Sequence, residues 1–171
     1  MTIKPFLAAA FLALSQPVLP ALADVQVTFI EGAPKDRFTI TNTGSCALGP
    51  VDVTIDLSGS SAGLVFDVTE QGAGVEVFQP FELVSGSSLL SSTPSVRDGD
   101  NGLTLALTNL DQGQSVAFTI DVDDTIGARE ITVSRAEISG AGIRVETDFA
   151  QASGIFDETA VAVAPFQACL S

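Results

Sequence analysis

The sequence predicts an all-β protein, an antiparallel sandwich of nine or ten short strands. Three observations lead there. Apolar residues alternate with polar ones over short runs, most clearly where Val116, Phe118, Ile120 and Val122 interleave with Ala117, Thr119, Asp121 and Asp123. A period of two belongs to a strand with one buried face. Clusters of Gly, Asn, Ser and Pro separate these runs at roughly 8–12-residue intervals, the spacing of sandwiches and small barrels. No stretch of useful length has helical period. A small barrel is the second choice, and the lack of a strict internal repeat argues against a solenoid.

The chain opens with a leader rather than a strand. Lys4 is followed by the apolar run 6–14, then Pro17, Pro20 and Ala21-Leu22-Ala23. A charged start, a short apolar core and a small-x-small end make a secretory signal cut before Asp24. The apolar run is shorter than the roughly 20 residues that span a bilayer. The expected organisation is a signal peptide over 1–23 and one β domain over 24–171. No integral membrane segment is expected after cleavage, and the product is exported, to the periplasm or beyond.

The strands follow in order. Val25, Val27 and Phe29 alternate in 24–30, and Phe38 and Ile40 in 37–43, across a turn at 31–36. Val51, Val53, Ile55 and Leu57 form the next strand, with Asp52 and Asp56 on its outer face. Leu64, Phe66 and Val68 form another, which leaves Asp67 on the wet side. Pro80 cannot donate a ladder hydrogen bond, so 75–84 reads as an edge strand or two short pieces. Residues 85–101 form the longest irregular stretch. Leu103, Leu105 and Leu107 precede the turn 109–114 and the central strand 115–123. Ile131 with Val133, Ile143 with Val145, and Val161 with Val163 mark the last strands, and 149–152 is open to a helical turn.

Composition excludes several chemistries. The chain has no His, Trp or Tyr. Ser-His and Cys-His catalysis and His-ligated metals are thereby ruled out. Past the leader there are six basic and 21 acidic side chains, a net charge of −15. Nucleic acid and anionic membrane are poor partners for such a surface. Cys46 and Cys169 are the only cysteines. In an oxidising compartment the expected outcome is a disulfide between them. Closing that loop would stabilise by on the order of 4–5 kcal/mol in the chain-entropy model. Two free thiols or pairing between chains are the alternatives.

Two stretches resemble bacterial extracellular immunoglobulin-like modules. One is Thr39-Ile40-Thr41-Asn42-Thr43-Gly44-Ser45 with the strand at 51–55. The other is Leu107-Thr108-Asn109-Leu110-Asp111-Gln112-Gly113-Gln114-Ser115. A wider likeness rests on Val27 to Phe38, Gly74 to Phe81 and Phe118 to Thr125. These segments resemble a group of small exported alphaproteobacterial proteins labelled after the core protein of the sponge aggregation factor. The resemblance implies an immunoglobulin-like sandwich of about nine strands and calcium-dependent adhesion to a protein or cell-surface partner.

The candidate site is acidic. Asp121, Asp123 and Asp124 end the central strand, and Asp98 and Asp100 lie in the oxygen-rich loop 98–102. Calcium takes six to eight oxygens, several from carboxylates, so these five are the expected metal ligands. The loop is no EF-hand, since its fifth position is Gly102 and its twelfth Asn109. The competing reading is a solvated acidic face that keeps the domain soluble. A carboxylate-pair glycosidase is a remote third. Gly72-Ala73-Gly74 and Gly140-Ala141-Gly142 read as turns, not phosphate loops. The expected function is a non-catalytic exported binding or adhesion module. The alternative is a structural secreted domain whose loops calcium stabilises.

Overall fold

Strands with one apolar face must cover it with a second layer. The computed structural model, which describes residues 23–69, 78–126 and 132–166, does this with two antiparallel sheets. Its ten strands are β1 (Ala23–Ile30), β2 (Asp36–Asn42), β3 (Val51–Asp56), β4 (Val65–Asp67), β5 (Glu82–Ser85), β6 (Gly102–Leu107), β7 (Ser115–Asp123), β8 (Gly142–Glu146), β9 (Gln151–Ile155) and β10 (Val161–Phe166). Between β7 and β8 lies one α-helical turn, α1 (Arg135–Ile138), and a 3-10 turn over Leu57–Gly59 follows β3, where the alternation in the sequence extends the strand to Leu57. Among the described residues no helix is long and apolar enough to cross a membrane.

The larger sheet runs β10-β1-β2-β7, and β4 and β5 both pair with the far edge of β7. The smaller runs β6-β3-β8-β9. The alternation read from the sequence sets the register. Phe38 faces Phe118 and Ile40 faces Val116 in one sheet, while Val53 sits between Leu105 and Val145 in the other. Phe29, Phe38 and Phe118 stack in a row with ring centroids 5.1 and 5.3 Å apart, and Phe81 adds a fourth ring 5.0 Å from Phe118. These rings join the aliphatic residues of both sheets in one core.

The sheets meet where β9 turns into β10. Asp157 orders the turn, its Oδ1 accepting from the Thr159 and Val161 amides at 2.8 and 3.2 Å. The strands cross so closely that a Cβ on Gly154 would lie 2.2 Å from the Val163 carbonyl oxygen. The crossing also sets the phase of β10. Ala162, Ala164 and Phe166 are buried, while Val163 is 42 % exposed. Small alanines let the backbone approach the core, so the valines that marked this strand in the sequence do not fill it.

Other expectations change. The described residues hold ten strands, not about nine, and the larger sheet is split at its β4–β5 edge. Residues 149–152 lead into β9 rather than a helical turn. The helical turn lies instead at α1, beside Val133. Its signal is the capping pair Ser134 and Glu137, whose Oε2 accepts from the Ser134 amide and hydroxyl at 2.6 and 2.7 Å. The 71–74 turn, Val75, Val77, Ile131 and Cys169 lie outside the described residues, and so does the signal peptide apart from Ala23.

The β9–β10 crossing gives a direct test. Gly154→Ala should lower the free energy of unfolding by about 1–3 kcal/mol, since the new methyl meets backbone that cannot turn aside. A urea titration reads this out, and an unchanged midpoint would show that the strands can separate at no cost.

Candidate functional site

The site is built on β7. Its Val116, Phe118, Ile120 and Val122 enter the core, and Asp121 and Asp123 emerge on the other face. That face is covered as well. β4 runs antiparallel to β7 so that Asp67 lies opposite Asp121 and Val65 opposite Asp123. On the other edge β2 begins with Asp36 opposite Ile120. Beyond that end the Asp36 carboxylate continues the hydrogen bonding, accepting from the Gly32 amide at 3.0 Å and from the Val122 amide. Asp36, Asp67, Asp121 and Asp123 are each only 2–5 % exposed.

The loop 97–101 lies along the other edge of β4. The Phe66 amide donates to Asp100 O at 2.8 Å, and the Gly99 amide to Phe66 O at 2.9 Å. Asp98 Oδ1 accepts from the Val68 and Thr69 amides, both at 2.7 Å, and its Oδ2 from the Thr69 hydroxyl. Asp100 Oδ2 accepts from the Arg97 amide at 2.8 Å inside its own turn. The two acidic stretches of the sequence are therefore brought together through Asp67. Asp121 and Asp123 line the pocket, and Asp98 is near enough for its charge to act on Asp67. Asp124 is buried one residue further on. Asp98 and Asp100 are engaged in ordering backbone.

Sequence reading missed Asp36 and Asp67. For Asp36 a signal existed, because it shares the odd-even phase of the buried Phe38, Ile40 and Asn42. For Asp67 none did. It sits in the outward phase beside Phe66, and only the fold covers that side. The solvated-face reading is overturned for Asp67, Asp121, Asp123 and Asp124, all buried.

Burial dominates the electrostatics. It is the main cause raising Asp36 from 3.8 to about 8, against the Gly32 hydrogen bond and with the Asp121 charge. Burial, then Asp123 and Asp67, raise Asp121 to about 7. Burial, then the charge and hydrogen bond of Asp123, raise Asp67 to about 6. Asp98 moves the other way, held below 3.8 by the Thr69 hydroxyl and by backbone amides. Two oxygens, Asp67 Oδ1 and Asp121 Oδ2, are buried without a hydrogen-bond partner. Near neutral pH the pocket must share protons or take up a cation.

A second feature stands at the turn between β8 and β9. Thr147 Oγ1 accepts from the Phe149 and Ala150 amides at 3.4 and 3.1 Å, and the Thr147 amide donates to Ala150 O at 2.9 Å. The turn presents Phe149 81 % exposed. Phe149 also borders a small apolar cavity with Leu48, Pro50 and Phe166. Beside it runs a groove bordered by Asp52, Glu146 and Asp148.

A scan against protein-family models finds no match to this chain, and a search of curated proteins finds no significant relative.

The pocket predicts a pH dependence. The folded state keeps protons on Asp36, Asp121 and Asp67 that the unfolded chain, titrating near 3.8, has already released. Where the native state binds more protons, stability falls as pH rises. In chelator, the melting temperature should fall from about pH 5 to about pH 8, and Asp121→Asn should flatten the slope. A wild-type melting temperature that climbs through this window would contradict the assignment.

Proposed function

We propose that the chain is an exported, non-catalytic binding or adhesion module of immunoglobulin-like sandwich type. The observation that carries this reading is Phe149. An exposed aromatic on a turn ordered by its own hydrogen bonds loses little freedom on contact, the property of an interface anchor. The acids beside it suit a basic partner. Asp52 lies directly opposite Glu146 across β3 and β8. Export is supported by the leader pattern of residues 4–23.

The Cys46–Cys169 disulfide belongs to this reading. Phe166, three residues before Cys169, borders the same cavity as Ala47 and Leu48, which follow Cys46. A structural domain whose only ligand is calcium is the second reading, and the acidic pocket favours it.

Phe149→Ser should leave the melting temperature unchanged and abolish retention of an envelope partner on the immobilised protein. Equal retention by both forms would refute the contact surface. A non-reducing peptide map of fresh protein should show Cys46 and Cys169 in one linked fragment, and free thiols at both would overturn the disulfide.

A further inference from the structure

We propose that Asp67 and Asp121, together with Asp123, form a calcium site between β4 and β7. Two of the buried oxygens without partners, Asp67 Oδ1 and Asp121 Oδ2, lie here and point to a ligand. Both residues are more than nine-tenths buried and directly opposite in register. A carboxylate oxygen in that position needs a donor or a cation. The protein does not supply the cation from the nearest place in the sequence: Lys35, adjacent to Asp36, pairs with Glu82 instead. Arg144 is likewise taken by Glu146 at 3.1 Å.

The donor set selects the ion. The carboxylates of Asp67, Asp121 and Asp123 offer only oxygen, which suits a hard cation. Thr119 Oγ1, two residues before Asp121 on the same face of β7, is another buried oxygen without a partner. Magnesium holds its water and rarely enters cages built of protein oxygen alone, whereas calcium accepts them. Among the described residues no three acidic side chains meet at metal-ligand distance, and Asp67 is hydrogen-bonded to Asp123. That bond requires a proton between two carboxylates, and calcium would replace it. The strands need not move, because Val65–Asp67 is already locked to residues 121–123. Only side-chain torsions must change.

This set differs from the one the sequence suggested. Asp98 and Asp100 are excluded because backbone amides already occupy their carboxylates. Asp67, whose Oδ1 is buried without a partner, replaces them. The site is separate from the Phe149 surface, so either can stand without the other.

The test uses the full mature chain, stripped with chelator and titrated with calcium chloride at neutral pH by calorimetry and thermal melting. Calcium should bind and raise the melting temperature, as any ligand of the native state must. Asp121→Asn and Asp67→Asn should each weaken binding at least tenfold while raising the metal-free melting temperature, since each removes a buried carboxylate. That opposite pair of effects separates a ligand from a merely structural residue and keeps both variants folded. Asp52→Asn, Asp100→Asn and Phe149→Ser should bind calcium like the wild type. The proposal is overturned by no heat and no melting shift at millimolar calcium. It is also overturned if magnesium gives the larger shift, or if Asp52→Asn or Asp100→Asn weakens binding as much as Asp121→Asn.

Discussion

β7 is paired along both edges and covered on both faces, and the rest of the domain is arranged around that double burial. One edge takes β2 and the other takes β5 and β4 in succession. Its inward residues complete the phenylalanine row of the core. Its outward acids, which would lie in water on a strand with one open face, are instead buried. The Gln79 amide donates to Asp67 O at 3.3 Å, and the Asp121 amide to Gln79 O at 3.1 Å, so Gln79 ties the two acid-bearing strands together.

Enclosure sets the chemistry. A carboxylate in water keeps its charge, and one removed from water must find a proton, a donor or a cation. The pocket gathers several carboxylates in one place, so each raises the cost of ionising the next. Asp98 shows the contrast. It is close by but less enclosed, satisfied by three donors, and ionises readily. Position relative to the covering strands, not residue type, separates a turn-ordering acid from a pocket acid.

At the other end of β8 the same logic operates with apolar groups. The Thr147 turn holds Phe149 in solvent, where an aromatic ring loses the benefit of burial. The domain therefore keeps an unsatisfied polar pocket near the end of β7 and an unsatisfied apolar side chain at the β8–β9 turn.

The sequence alone determined the all-β class, most strand positions and the inward residues of β1, β2, β3, β6 and β7, because a period of two and turn-forming residues are local signals. It also singled out the acidic end of β7. It read β10 in the wrong phase, since the alanines are buried only by the crossing at Gly154. It missed α1, although the Ser134–Glu137 capping pair was legible. Tertiary structure alone decided that Asp67 faces Asp121, that both are shielded from water, and that Asp98 and Asp100 serve the backbone. Those facts depend on which strands lie side by side. Pairing between residues 54 positions apart leaves no trace in the local pattern of either strand.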